Sequence, residues 1–520
     1  MSEGLIEKIL VRKATGFLVS ALLFSLFQTA TFPTNGEENV KWYNVKLNGA
    51  KVGYYSCEYA ARLKKSELIT VKIEKTNLRL KRLDTEFLVN SVLEQEFDEA
   101  GNLLRFESIM GEGNVKRNIF GQFDYEKKKA ILTTVINDSR QTNEIDIVDN
   151  ALSDLQLEKK VKDSSFKIGE SFSYNAFLIE AGKYCRCSLN LVALEDIAVM
   201  GENKQLHKWV REVEGFEQKT VLWMDSEFTP WIMESVSGKN IFRMERSLKK
   251  DARSLREVLN NTSDLARQAA LKLKIGPGII LDLNKPGDRV RKIIYKIRNA
   301  PSYHMLKGGG QDIISEKDDT IVVEVNTDIV AFIKEPGDDN RSLKPFLEPN
   351  LYVQSEDRKI KDTVKPLLNK TDKGKTALNI RKWVNRNIKW CSDYGFSTAV
   401  STLEAGAGDC TEFSVLTAAL CRNAGIPARV AMGYILTGNS LGEIILGPHM
   451  WVEVWLDNTW YPIDSTGDSE NINPFKIRFL SGSLNHDEIY KFFDLYSGIS
   501  KIEVELISII EDNGEHVSKR

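Results

Sequence analysis

The chain has 520 residues, 42% of them hydrophobic and 28% charged, with a formal net charge of -2. That length exceeds a single hydrophobic core, so two or three domains are expected. A near-zero charge with both signs interspersed excludes a nucleic-acid footprint and a polybasic membrane-surface protein.

The first residues stand apart. Lys8, Arg12 and Lys13 precede an apolar run from Gly16 to Phe27, which ends in Gln28-Thr29-Ala30. A basic flank, a short apolar stretch and small polar residues are the layout of a secretory signal, and the run is shorter than the ~20 residues of a spanning helix. Gln28 stands where a small residue is wanted if the cut follows Ala30, so an uncleaved membrane anchor is the alternative. Residues 1–34 are therefore expected as a signal peptide or anchor, and the body as exported: periplasmic, extracellular or anchored facing out.

Residues 35–255 alternate with period two between turn residues, around Asn48-Gly49 and Ala100-Gly101-Asn102 among others. So many short strands with local turns predict one large, curved antiparallel sheet, interrupted by one helical passage near Asp154. His207 reads as a strand residue without a chemical partner. Such a sheet suits a scaffold, an apolar ligand or a docking partner.

Residues 256–350 are expected to form a helical linker and a smaller β-rich middle region. Lys307-Gly308-Gly309-Gly310 lacks the following GK[ST] of a phosphate loop and reads as a turn, with His304 in a loop beside it. Residues 336–350 are turn-rich and read as a linker.

Residues 351–510 carry the chemistry. Ala377, Ile380, Val384 and Ile388 mark one face of a helix that ends at Trp390-Cys391. Gly406 and Gly408 precede Asp409-Cys410, and a helix with Phe413, Leu416 and Leu420 on one face then runs to Gly425. Cys410 thus falls in the first turn of a helix, where N–H groups favour a thiolate and can receive an oxyanion, with glycines upstream that admit a substrate backbone. Cys421, on the same helix, reads as buried and inert. Further on, His449 lies on an alternating strand that turns at Asp457-Asn458. A two-residue loop there puts Leu456 opposite Thr459 and Trp451 opposite Asp464. His449 and Asp464 become diagonal neighbours about 7–8 Å apart, the arrangement by which a carboxylate orients an imidazole. Cys410, His449 and Asp464 are the candidate catalytic residues.

Gly408-Asp409-Cys410-Thr411-Glu412, the stretch Ala419 to Arg429, His449 to Trp455 and Trp460 to Asp464 resemble the core of the transglutaminase-like superfamily over about 110 residues. The preceding half is similar in layout to bacterial exported proteins that place a β-sheet region before such a core. The resemblance implies a papain-like fold and acyl chemistry through a thioester at Cys410, with His449 as base and Asp464 as orienting carboxylate. It departs from papain-like proteases in one respect: no glutamine lies between Gln354 and Cys410 to hold an oxyanion. True transglutaminases use a tryptophan, for which Trp383 and Trp390 are the candidates. Arg422, Arg429 and Glu453 belong to the motif and read as structural; Trp451, Trp455 and Trp460 read as an aromatic core rather than a cleft.

The fold class expected is thus α+β: a large antiparallel sheet, a smaller β-rich middle region and a papain-like transglutaminase core, with residues 511–520 a disordered tail. No cofactor and no metal are expected: the DxDxDG spacing is absent, and six cysteines are too sparse for a disulfide scaffold. His486 and His516 have no assigned role. The expected function is a cysteine-dependent amide hydrolase on a protein or peptide substrate. The alternatives are a protein-glutamine acyltransferase with the same triad and a non-catalytic binding module, with the β domain free to bind a partner or ligand.

Overall fold

The computed structural model describes residues 40–64, 67–82, 85–216, 219–237, 240–254, 270–277, 279, 290–299, 307–327, 343–391, 395–438, 443–467, 474–485, 488 and 502–511. The expectations for residues 1–34 and 512–520, His304, His486, His516 and most of the helical linker lie outside the described residues. Among the described residues no helix is long and apolar enough to cross a membrane. The chain forms two compact units, one holding the strands before Ser254 and the other those from Ala270 on.

The first unit is one antiparallel sheet of fourteen strands. From Ser139–Asp146 the order runs back through the chain to Val40–Leu47, switches to Asn240–Ser247, and descends to Ser171–Leu178. Two meanders therefore join through a single pairing between the first strand and the last, Trp42 lying opposite Ser247. The Asn48-Gly49 hairpin is a primed turn, with φ of 50° and 84°, whose twist suits the strands it joins.

This sheet curls until its two edges approach. Ala151, just past one edge strand, bridges Asn175 on the other, and the Leu152 N–H donates to the Asn175 carbonyl at 2.7 Å. Gly121 permits the bend: a Cβ there would lie 2.1 Å from the ring of Phe106 on the neighbouring strand. That ring reaches Phe177 of the far edge strand at 5.9 Å. Helix α1 (Asp154–Lys162) supports the seam, with Leu155 and Val161 buried. Its Ser153 cap, closed in a capping box with Gln156, also donates from Oγ to the carbonyl of Gly101 at 2.5 Å. The turn expected at Ala100-Gly101-Asn102 is thereby clamped to the one helix the strand pattern allowed.

The second unit is built on a nine-stranded sheet. Its site-bearing half comprises β1 (Ala428–Gly438), β2 (Ile444–Leu456), β3 (Thr459–Ile463) and β4 (Lys476–Gly482). β1 lies between β2 and β4, and β3 pairs with β2. The strands at 290–298, 311–317 and 320–326 pair in the other half, together with 503–511. Leu271–Ile275 joins the halves, meeting β2 antiparallel and 503–511 in parallel. The β-rich residues expected as a middle region thus share the sheet of His449. Helices α2 (Lys373–Asn387) and α3 (Cys410–Asn423) complete the core. Thirteen residues of α3, Cys410 to Arg422, are buried, as a helix apolar on nearly all sides must be.

Candidate active site

Sequence chemistry fixes the start of α3. Asp409 is its N-cap and accepts from the N–H of Thr411 at 2.9 Å, while Glu412 reaches back to the N–H of Asp409 at 3.0 Å, a capping box. Glu412 fits only because residue 408 is glycine, where a Cβ would stand 2.3 Å from Glu412 Cβ. Gly406, at φ 61°, ends the short helix Ala399–Ala405. The two glycines expected to admit a substrate backbone therefore shape the protein's own turn.

Cys410 is 2% exposed and faces β2, where the backbone of Met450, the residue after His449, hydrogen-bonds to its sulfur. Burial pushes the thiol well above its ordinary value, aided by Asp409 and Glu412, against the smaller opposing pull of the Met450 bond. Cys421 is fully buried and pushed up to about 12 by that burial, in keeping with an inert thiol.

The β2–β3 hairpin runs in the register that a two-residue loop demands. Leu456 pairs with Thr459 and Val452 with Ile463, and both Asp457 and Asn458 adopt positive φ, at 49° and 63°. Asp464 follows one residue beyond β3. His449 Nε2 and Asp464 Oδ2 are 2.8 Å apart. With the carboxylate accepting, Nε2 carries the proton and Nδ1 is left as the basic nitrogen.

Asp464 is held from every side. Its Oδ1 accepts from the N–H of Thr466 at 2.9 Å and the hydroxyl of Thr466 at 2.7 Å. Its Oδ2 takes His449 and also Lys476 Nζ at 2.6 Å, a buried ammonium from β4. Behind it, α2 grips the loop: Arg381 Nε donates to the Asp464 carbonyl at 3.0 Å, and Asn385 Nδ2 to the Ser465 carbonyl at 3.1 Å. Thr417 of α3 meets Ser465, hydroxyl to hydroxyl, at 2.7 Å. A carboxylate satisfied in this way stays oriented.

Sequence reasoning missed Lys476, Thr466, Arg381 and Asn385. The Asp-x-Thr spacing of 464 and 466 is a local Asx pattern, and Arg381 and Asn385 share a helix face, so three of the four left a readable signal. Lys476 left none.

Trp390 occupies a two-residue strand paired in parallel with Ala407-Gly408, which brings it beside the start of α3. Its ring lies 6.2 Å from Phe413, and its indole Nε1 is buried without a hydrogen-bond partner among the described residues. Gln354 is engaged elsewhere, accepting from the N–H of Val400 at 2.9 Å.

The remaining motif residues have structural partners. Glu453 is buried between Arg429, at 2.7 Å, and Arg478, and the Arg429 guanidinium lies 4.2 Å over Trp460. Arg478 also donates to the carbonyls of Lys307, at 2.6 Å, and Gly308, at 2.9 Å. The glycine-rich 307–310 stretch is thus a turn whose carbonyls clasp a guanidinium. Arg422 donates to the carbonyls of Ala428, Glu348 and Ser483. Trp460 and Trp451 are buried, Trp460 against Trp455 at 5.3 Å and Trp451 beside the His449 ring at 6.1 Å. Trp451 and Trp460 belong to the core, and the half-buried Trp455 packs on Trp460.

Residues 361–465, which include Cys410, His449 and Asp464, match the family model of the transglutaminase-like superfamily core. That segment is similar to a transglutaminase-like core. A UPF0252 protein of Methanocaldococcus jannaschii is 29% identical over 163 residues, 29% of this chain, and the chain spans 45% of that relative's length. Two solved structures are similar at low scores. One, provisionally titled a cysteine protease, from Cytophaga hutchinsonii, has 18% identity and a TM-score of 0.27, covering 44% of this chain and 85% of its own. The other, a β-barrel-like protein of unknown function from Brucella abortus, has 10% identity and a TM-score of 0.30, covering 40% of this chain and 94% of its own. At such scores neither carries an argument. The transglutaminase-like core supports a cysteine-based hydrolase or transferase in general.

Proposed function

We propose that the protein is a cysteine-dependent amide hydrolase of protein or peptide substrates, using Cys410, His449 and Asp464 through a thioester. The observation that carries the reading is the 2.8 Å contact between His449 Nε2 and a fully satisfied Asp464, on a hairpin facing the tip of α3. Because burial holds the Cys410 thiol protonated, the proton leaves as the sulfur attacks. His449 Nδ1 takes it, Asp464 steadies the resulting imidazolium, and His449 returns it to the departing amine. Water then attacks the thioester with His449 again as base, releasing the acid and the free thiol. The Cys410 backbone N–H and the Trp390 indole N–H are the donors suited to the oxyanion. The basic-then-apolar layout of residues 8–30 supports action outside the cytoplasm.

The test is to incubate the full chain with a glutamine-containing protein and a labelled primary amine, with Cys410→Ala as control. Release of peptide or ammonia without amine incorporation is expected. Amine incorporation would make it an acyltransferase instead. Equal release by Cys410→Ala would overturn the catalytic reading and favour a binding module.

A further inference from the structure

The nine-stranded sheet of the second unit has two edge strands, β4 at one end and Gln311–Lys317 at the other. An edge strand carries backbone N–H and C=O groups that no neighbouring strand pairs. On β4, those of Arg478 are paired by one side chain. Gln311 Oε1 accepts from the Arg478 N–H at 2.8 Å, and Gln311 Nε2 donates to the Arg478 carbonyl at 2.8 Å. The two edges thus meet through a primary amide that serves as a one-residue strand. Gln311 and Arg478 are both buried.

The turn before Gln311 adds a second grip. The Arg478 guanidinium donates to the carbonyls of Lys307 and Gly308 and pairs with Glu453. Residue 309 has to be glycine: its φ is 61°, and a Cβ would stand 2.5 Å from Glu453 Oε1 and 2.8 Å from Arg478 Nη1.

Lys476 lies two residues before Arg478, on the same face of β4. Its ammonium is 2.6 Å from Asp464 Oδ2, although β1 and β2 lie between β4 and β3, the strand that Asp464 follows. Each step between strands is about 4.8 Å, so this side chain reaches far and keeps its contact only while β4 stays in place. β4 has β1 as its one strand neighbour, and the register between them slips at Met432/Gly433, opposite Arg478. A bulged strand paired on one side opens more readily than the strands inside a sheet.

We propose that Gln311 and the 307–310 turn form a positioning clamp for the candidate site, holding β4 so that Lys476 stays on the Asp464 oxygen that His449 also uses. Gln311 acts through Lys476 and is a positioning residue. The inference rests on the hydrolase reading for what the site does, but the clamp can be tested without turnover.

The experiment uses the full chain with labelled histidine. The proton on His449 Nε2, identified by its loss in His449→Gln, is followed by NMR at neutral pH, because its resonance reports the hydrogen bond to Asp464. Lys476→Met should move it downfield, since His449 then has the oxygen to itself. Gln311→Met removes both amide bonds at similar volume, and should move it the same way by at least half as much. The double variant should match Lys476→Met alone, because two changes in one chain of contacts do not add. In the amide-release assay, Gln311→Met should lower kcat about fivefold with KM unchanged. An unmoved resonance in folded Gln311→Met, an unmoved resonance in Lys476→Met, or shifts that add in the double variant would each overturn the clamp. If Gln311→Met does not fold, Gly309→Ala, which drives the turn off Arg478, replaces it under the same outcomes. The expected shifts in a protein without amide turnover would keep the clamp and overturn the hydrolase reading.

Discussion

Two carboxylates, one in each unit, show opposite ways of burying charge. Asp464 has both oxygens filled, by Thr466 on one side and by His449 and Lys476 on the other. Glu74 has one oxygen filled, by Tyr55 and Lys72, and one without a hydrogen-bond partner among the described residues. A filled carboxylate is fixed in orientation, which suits a group that must hold an imidazole through a reaction cycle. The second unit therefore uses its buried charges to fix the orientation of the His449 ring. The first keeps part of its polar interior unpaired.

The comparison breaks first at the nucleophile. Cys410→Ala should lower amide turnover by about a thousandfold or more, with a melting temperature within about 2 °C of wild type. Retained turnover would remove chemistry from the second unit altogether. Next in size, Glu453→Gln strands two buried guanidiniums and should cost about 3–5 kcal/mol in urea unfolding. A loss under about 1 kcal/mol would show that Arg429 and Arg478 satisfy themselves without it.

Lys476→Met sharpens the claim that Asp464 is saturated. The ammonium 2.6 Å from Oδ2 favours the ionised carboxylate, so its loss lets Asp464 take up a proton more readily. Turnover at neutral pH should fall about tenfold, the acidic limb of the pH–rate profile should move to higher pH, and Lys476→Arg should restore most of both. An unmoved limb would reduce Lys476 to a packing role.

The smallest effect belongs to the first unit. A carboxyl held at about 8 when folded and near 4.3 when unfolded binds a proton on folding. Glu180 therefore favours the folded state fully below about pH 4.3, and loses that contribution as pH rises toward about 8. Glu180→Gln should flatten stability against pH across that window, measured by denaturant unfolding at several pH values. An unchanged slope would mean that Glu180 ionises freely in the folded protein.

The candidate catalytic stretch was legible because its signals are local. Cys410 at a capped helix start, His449 on an alternating strand and the two-residue Asp457-Asn458 turn are each set within a few residues, and the hairpin register carries Asp464 to the histidine. The strands of the first unit were legible for the same reason, since each hairpin turn is written beside the strands it joins. The supports were not. Lys476 reaches Asp464 because β4 crosses back beside β1, and Gly308 meets Arg478 across some 170 positions.

What the sequence determined by itself is the α+β class, the many-stranded sheet, the helix-tip cysteine and the pairing of His449 with Asp464. These follow from short-range sterics and hydrogen bonding, which read the chain a few residues at a time. Only the tertiary structure decided that burial pushes the Cys410 thiol up, that Lys476 fills the last position on Asp464, and that the edges of the first sheet meet at Ala151 and Asn175. Desolvation and long-range electrostatics depend on what surrounds a group, and the surroundings come from strands far apart in the chain.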